Sequence, residues 1–88
     1  MFQISEPALE VLKEALMAAR TGDDQILRIE AKEDGFSLGL DEPHDGDMRF
    51  ETDGQLVVTA GEDVVQLLED SKIDVETVDG QPRLYLAT

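Results

Sequence analysis

The sequence predicts a β-rich α+β fold, and three observations support that fold class. Short segments alternate apolar and polar residues, which is typical of half-buried strands. Two Asp-Gly dipeptides separate pairs of these segments as the turns of β-hairpins do. One segment near the N-terminus instead repeats its apolar residues at helical spacing. We expect one domain over residues 1–88, in which small mixed or antiparallel sheets close into a barrel-like or sandwich core beside an N-terminal helix and one short helix.

The N-terminal helix is predicted over residues 6–20. Ser5 is a favourable N-cap residue, and Pro7 is tolerated in the first helical turn. Gly22 marks the expected end of the helix, because glycine commonly follows the last helical residue. The apolar face that this helix directs towards the core consists of Leu9, Leu12, Leu16 and Ala19.

Two strands and a second helix are predicted in the middle of the chain. Residues 25–31 alternate apolar and polar side chains, and residues 36–40 do so again after an acidic break. Residues 41–47 are polar and contain proline and glycine, which predicts a loop. Residues 62–69 begin with two acids and continue with apolar residues, which predicts a short helix.

The first hairpin is predicted from Asp53-Gly54, a dipeptide that favours a type I′ turn because both central residues need a positive φ. This turn joins a strand over residues 48–52 to a strand over residues 55–60. A two-residue loop then sets the cross-strand pairing of the hairpin. The pairs that it predicts are Phe50 with Val57 and Arg49 with Val58.

The second hairpin is predicted from Asp79-Gly80, which joins residues 73–78 to residues 81–87. Counting outward from this turn places two apolar pairs on one face and an ion pair on the other, the pattern of a half-buried sheet. The pairs are Val75 with Leu84, Ile73 with Leu86, and Glu76 with Arg83. Pro82 cannot donate a backbone hydrogen bond, so its strand is expected either to lie at a sheet edge or to start only after Pro82.

The composition limits the partners that the chain is expected to have. Twenty-one acidic residues against seven basic ones leave a formal net charge of −14. Such a surface repels phosphate backbones and anionic lipids, so we expect no nucleic acid and no membrane among the partners, but a protein partner of basic character. No secretory leader and no apolar run of membrane-spanning length is visible, which predicts a cytoplasmic protein. The absence of cysteine excludes disulfides and thiolate metal centres.

One acidic segment offers candidate metal ligands. His44, the only histidine, lies among Asp41, Asp45 and Asp47, and Glu33 is a further candidate. Carboxylates and an imidazole suit a weak site for a divalent cation, although the spacing differs from that of an EF-hand. The alternative interpretation is a solvated acidic loop. No nucleophile beside a base and no phosphate-binding loop can be identified, so we expect no catalytic residue, no cofactor and no enzymatic activity.

The order of several motifs carries a resemblance to a known family. A capped helix is followed by Leu27-Arg28-Ile29 in a strand, a glycine-aromatic segment over residues 35–40, Gly46-Asp47 in an acidic loop, and Ile73-Asp74-Val75 near the end. This arrangement resembles the HesB/IscA-like family of A-type iron–sulfur carrier domains over nearly the whole chain. The resemblance implies the HesB-like fold and a cytoplasmic setting, and it suggests a homodimer or a higher oligomer.

The chain departs from this family at the customary ligand positions. In the family, a cysteine stands two residues before the glycine of the glycine-aromatic segment, and Glu33 occupies that position here. A Cys-Gly-Cys motif normally follows the last strand, and no such motif precedes Thr88. Since clusters are held chiefly by thiolates, we expect an interaction or regulatory module linked to iron–sulfur or iron metabolism, with a partner in the assembly machinery. A weak divalent-metal-binding protein is the alternative.

Overall fold

The computed structural model describes residues 1–88 and contains two helices and seven strands in two mixed sheets. The elements in chain order are β1 (Gln3–Ile4), α1 (Glu6–Ala19), β2 (Ile26–Lys32), β3 (Gly35–Asp41), β4 (Met48–Thr52), β5 (Gln55–Ala60), α2 (Glu62–Leu67), β6 (Lys72–Val78) and β7 (Gln81–Ala87). One sheet has the strand order β1-β6-β7 and the other β3-β2-β5-β4. The β-rich α+β class is therefore confirmed. Of the two expected arrangements, a barrel-like or a sandwich core, no closed barrel forms, because both sheets are open.

Helix α1 begins where the sequence predicts and ends one residue earlier. The Ser5 hydroxyl accepts a hydrogen bond from the Ala8 amide at 3.2 Å, as an N-cap does. Arg20 is the C-cap in an extended conformation, so the helix ends before Gly22 is reached. The same Ser5 hydroxyl donates to Asp74 Oδ1 at 2.8 Å and thereby fastens the start of α1 to β6.

Strand β1 was not predicted. Its two residues pair in parallel with β6, Gln3 with Lys72 and Ile4 with Ile73. The preceding Phe2 is fully buried, and its ring meets the ring of Phe50 edge-on with the centroids 5.4 Å apart. Two residues are too few to show an alternating pattern, so only the tertiary pairing reveals this strand.

The first hairpin has the predicted turn but a different register. Asp53 and Gly54 adopt φ values of 54° and 75°, as a type I′ turn requires. A β-bulge between Phe50 and Glu51 shifts the pairing, so that Phe50 faces Val58 and Arg49 faces Thr59. The predicted pairs, Phe50 with Val57 and Arg49 with Val58, are therefore wrong. The bulge gives β5 one additional residue, and Val57 and Val58 are both fully buried.

The second hairpin has the predicted turn and register. Asp79 and Gly80 have positive φ values of 53° and 77°, and the pairing follows the count outward from them. The pairs are Val75 with Leu84, Ile73 with Leu86, and Glu76 with Arg83. Strand β7, which contains Pro82, lies at a sheet edge as predicted. Glu76 and Arg83 face each other across the strands, but their charged groups do not come within 4.0 Å, so the predicted ion pair does not form.

The core lies beneath α1, which packs on both sheets through contacts with β4, β5 and β6. Fifteen buried apolar residues form one cluster, to which α1 contributes Ala8, Leu9, Leu12 and Leu16. Ala19, expected on this face, is exposed because it lies in the last turn, beyond the sheets. Helix α2 is two residues shorter than predicted and adds Val64 to the core. Both helices are too short to cross a lipid bilayer.

Candidate functional site

Glu33 lies in the two-residue turn between β2 and β3, with Lys32 and Gly35 paired on either side. It is exposed, and it forms no salt bridge with any basic side chain. Strand β3 then runs for seven residues and ends at Asp41. At about 3.3 Å per residue, this strand separates Glu33 from the acidic loop by roughly 20 Å. Glu33 and the loop residues therefore do not form one site.

Within the loop, the structure pairs His44 with a single candidate ligand. His44 Nε2 lies 3.1 Å from Asp41 Oδ2, and both side chains are partly exposed. Asp45 is exposed and forms no salt bridge. The remaining candidate in the loop, Asp47, is paired with Arg28 instead of His44. No group of three or more His, Cys, Asp or Glu side chains is arranged to hold a metal ion.

Asp47 forms a buried ion pair with Arg28 of β2. Arg28 Nε lies 2.9 Å from Asp47 Oδ2, and Arg28 Nη2 lies 3.1 Å from Oδ1, so the contact is bidentate. The Asp47 side chain is only 3% exposed. Hydrogen bonding to Arg28 holds the pKa of Asp47 below its usual range, and the His44 backbone amide, 3.3 Å from Oδ2, acts in the same direction. This pair joins the start of β4 to the centre of the sheet.

Gly61 allows the Arg28 guanidinium to lie close to the backbone before α2. A Cβ atom at this position would lie 2.9 Å from Arg28 Nη2 and 2.9 Å from Asp63 Oδ1. Thr59, on the strand that pairs with β2, is fully buried, and its hydroxyl also lowers the pKa of Asp47. The Asp47 carboxylate is nearly enclosed, and both of its oxygens are bonded to Arg28. We therefore assign this pair a structural role.

Two neighbouring carboxylates, those of Glu42 and Asp24, lie at the β3 end of the loop. Glu42 follows β3 directly, and the neighbouring Asp24 carboxylate raises the pKa of Glu42, because a shared proton relieves the repulsion between the two groups. Glu42 is exposed. Asp41 also raises the pKa of Glu42, so three carboxylates lie near one another at the end of β3.

An apolar cleft lies between the edge strands β3 and β7, and we call it the β3–β7 cleft. It has a volume of about 250 Å³, and nine of its ten lining residues are apolar. Phe36, Leu38, Tyr85 and Leu86 line it and remain between 41% and 46% exposed. Large apolar side chains that stay this exposed in a contiguous group mark surfaces where proteins bind partners.

Sequence reasoning did not identify this cleft. The alternation of Phe36, Leu38 and Leu40 predicts a strand with one apolar face, and such a face normally covers the core. Here the strand lies at the edge of the sheet and its apolar face remains exposed. The available signal was the pair of small residues between them, Ser37 and Gly39. They leave the second face of the strand without large polar side chains, so neither face of β3 is strongly polar.

No protein-family model and no characterised protein sequence matches the chain. Solved structures do match it along nearly its whole length. SufA from Escherichia coli, which is involved in the biosynthesis of iron–sulfur clusters, superposes with a TM-score of 0.73 at 16% identity, over 98% of this chain and 83% of SufA. The chain has the fold of SufA.

Two further structures with this fold agree. IscA, solved with a 2Fe–2S cluster, gives a TM-score of 0.61 at 18% identity and covers 99% of this chain and 81% of its own. A protein from Aquifex aeolicus, solved in solution by NMR, gives 0.62 at 20% identity, over 99% and 90% of the two chains. The resemblance read from the sequence is confirmed at the level of fold: this is the fold of A-type iron–sulfur carriers on a chain without cysteine.

Proposed function

We propose that this protein is a protein-binding module that has the fold of A-type iron–sulfur carriers but holds no thiolate-ligated cluster. We further propose that its partner belongs to the iron–sulfur assembly machinery and docks on the β3–β7 cleft. The proposal assigns the chain no catalytic step and no resident cofactor. The predicted cytoplasmic setting is part of this proposal, because assembly proteins of this kind would have to meet it there.

The observation that carries the proposal is the exposure of the cleft. Phe36 is 44% exposed and Leu86 is 46% exposed, although both are large apolar side chains beside a well-formed core. Covering apolar surface contributes roughly 25 cal/mol for each Å² removed from water. A partner that fills the cleft would therefore gain binding energy from a surface that the chain alone leaves in contact with solvent.

The donor set supports a function without a cluster. Iron in these clusters is held by sulfur from cysteine, and the chain has none. At the position that the resemblance assigns to a cysteine, Glu33 presents a carboxylate in an exposed turn. A carboxylate favours hard cations over the softer iron–sulfur centre. These residues do not fit a thiolate-ligated cluster.

The docking proposal is tested with two charge-matched variants. Leu38→Asp removes an apolar side chain from the cleft, whereas Leu67→Asp makes the same change at a side chain on α2 that is 66% exposed and lies outside the cleft. In affinity capture from native extract with quantitative mass spectrometry, we expect an assembly protein to be retained by the wild type and Leu67→Asp and lost with Leu38→Asp. Identical captured sets for all three proteins would contradict docking at the cleft.

The cluster-free part of the proposal has its own test. After anaerobic incubation with ferrous iron and sulfide and subsequent desalting, the wild type is expected to retain neither. SufA treated in parallel is the positive control for the procedure. Stoichiometric iron and sulfide on the wild-type chain would show that this fold can hold a cluster through other ligands, and would overturn this part of the proposal.

A further inference from the structure

Strand β3 is an unprotected sheet edge. It is seven residues long, pairs with β2 in an unbroken register, and carries no proline and no charged residue before its last position, Asp41. Residues 35–40 are all exposed. Natural proteins usually block such an edge, because its unpaired backbone groups are a template for another strand.

The other three edge strands carry the usual protection. Strand β1 has only two residues. Strand β4 has five residues, pairs with β5 across a bulge, and carries the exposed charges of Arg49 and Glu51. Strand β7 contains Pro82, which lacks an N–H group, followed by the charged Arg83. Strand β3 alone lacks all of these devices.

The outward backbone groups of β3 have no partner within the chain. An antiparallel strand at a sheet edge directs half of its N–H and C=O groups towards its neighbour and the other half away. None of the backbone hydrogen bonds outside the helices and sheets involves residues 35–41, and no side chain bonds to their backbone. These groups are free to pair with an added strand.

The side chains of β3 also suit an added strand. Phe36, Leu38 and Leu40 lie on one face, and the first two line the β3–β7 cleft. Gly35, Ser37 and Gly39 occupy the alternate positions, so the other face of β3 carries only small, uncharged residues. An added strand that alternates apolar residues would extend the apolar face and cover part of the cleft.

Charge defines the chemistry of the added segment. Glu33 and Asp34 precede β3, Asp41 and Glu42 end it, and none of the four forms a salt bridge with a lysine or arginine. Five of the seven basic side chains are already paired with the chain's own acids: Lys13, Arg20, Arg28, Lys32 and Lys72. A segment with basic residues at both ends would complement the two acidic ends of β3.

The same charges disfavour a second copy of this chain as the occupant. In an antiparallel pairing of two β3 strands, the acidic end of one would meet the acidic end of the other. Each copy also carries a formal net charge of −14. Like charges placed together at an interface oppose association. The edge therefore fits a basic partner better than it fits itself.

We infer that β3 binds an extended segment of a partner protein by strand addition, and that this segment alternates apolar residues between basic ends. The inference rests on the proposed function and specifies how the partner is held. Backbone hydrogen bonds to β3 supply part of the affinity, apolar side chains cover Phe36 and Leu38, and the basic ends lie beside the acidic pairs.

The test uses a synthetic probe peptide, acetyl-Lys-Val-Thr-Val-Thr-Val-Lys-amide, labelled for fluorescence anisotropy. Two control peptides have the same sequence with N-methyl groups on alternate residues, one on the odd-numbered and the other on the even-numbered residues. In one of the two, the methyl groups replace the N–H groups that face β3, so this version cannot pair with the strand. We expect that version to bind the wild-type protein at least about tenfold more weakly, because it loses its backbone hydrogen bonds to β3. Charge and apolar surface are nearly unchanged between the peptides.

A second arm separates strand addition from nonspecific electrostatic attraction. Leu38→Asp adds a negative charge, so attraction alone would strengthen binding of the basic peptide, whereas loss of the apolar contact would weaken it. We expect weaker binding to Leu38→Asp and unchanged or slightly stronger binding to Leu67→Asp. Protection of β3 amides from hydrogen exchange on peptide addition, measured on the full chain, is expected in the wild type.

The outcomes distinguish this inference from the function on which it rests. Equal affinity for both N-methylated versions, or no binding of the unmodified peptide, would overturn strand addition while leaving docking at the cleft to the capture experiment. A dimer of the wild type in light scattering that is lost in Leu38→Asp would assign the edge to a second copy and overturn the inferred partner. Weaker binding of one N-methylated version together with β3 protection would support it.

Discussion

The two outer strands of the four-stranded sheet, β3 and β4, differ in what covers them. On β4, Phe50 is 9% exposed, and Thr52 lies within hydrogen-bonding distance of Glu6 and Glu10 of α1 at 3.2 and 3.1 Å. On β3, Phe36 is 44% exposed, and no helix covers the strand. Both strands present an apolar face, so the difference lies in the position of α1. One edge of the sheet is part of the core, and the other is a surface.

The loop between these strands shows the same contrast in its carboxylates. Asp47, just before β4, is buried against Arg28, which lowers its pKa. Glu42, just after β3, is exposed beside Asp24, which raises its pKa. Protonation of these two acids therefore has opposite effects on the stability of the fold: it removes a favourable contact at Asp47 and relieves a repulsion at Glu42. The β4 end of the loop is stabilised by its charge, whereas the β3 end is not.

The largest expected effect compares the two phenylalanines on these strands. Phe50→Ala leaves a cavity beside Phe2 and should lower the free energy of unfolding by about 3–5 kcal/mol. Phe36→Ala removes a half-exposed ring and should cost less than about 1 kcal/mol. Urea unfolding followed by circular dichroism measures both. If Phe50→Ala does not fold, Phe50→Leu is the milder substitution to measure. Equal losses in the free energy of unfolding at positions 50 and 36 would mean that β3 is covered as fully as β4.

The second effect concerns the buried ion pair. Asp47→Asn leaves Arg28 without its charged partner and should lower the free energy of unfolding by about 2–3 kcal/mol near neutral pH. Asp45→Asn, an exposed residue of the same loop without a salt bridge, is the matched control and should change little. Urea unfolding of the three proteins at neutral pH gives this difference.

The pH dependence of the Asp47→Asn difference has a definite sign. An unfolded aspartate protonates near a pKa of about 3.9, and folded Asp47 only below that. The unfolded chain therefore binds this proton more readily, so the stabilisation by Asp47 is complete above about pH 5 and is lost as the pH falls through 4 and below. The difference between wild type and Asp47→Asn should shrink over that range. A difference that stays constant with pH would contradict the assignment.

The smallest expected effect is at the β3 end of the loop. Because the pKa of Glu42 is raised, the folded state binds the Glu42 proton more tightly than the unfolded state does. The repulsion between Glu42 and Asp24 therefore lowers the stability of the fold only when both carboxylates are ionised. Glu42→Gln should raise the Tm slightly at neutral pH and leave it unchanged once the pH falls below the raised pKa. Glu14→Gln, on the exposed face of α1, is the control. A lower Tm for Glu42→Gln at neutral pH would show that the Glu42 carboxylate is stabilising.

Much of the fold could be predicted because its signals are local. The Ser5 cap, the three leucines on the apolar face of α1 and the two Asp-Gly turns each depend on neighbouring residues, and all of them were predicted. The register of the first hairpin could not be predicted in the same way. The bulge beside Phe50 inserts one residue into β5 to fill the core, and the turn itself carries no information about it.

The candidate site was predictable only in part. Asp41 and His44 do meet, as their spacing of three residues allows. The ion pair between Asp47 and Arg28 could not be foreseen, because these residues are nineteen positions apart and meet only when β2 and β4 are aligned on either side of β5. The cleft combines residues from β3 and β7, which belong to different sheets, and no local pattern relates them.

The sequence by itself determined the absence of thiolate ligands, the strongly acidic surface, the helix starts and the turns. Each of these is a property of residue type or of a few adjacent residues, and packing does not change it. The tertiary structure decided which apolar faces are buried. Alternation shows that a strand has an apolar side, but only the position of α1 places β4 in the core and leaves β3 and its cleft open to a partner.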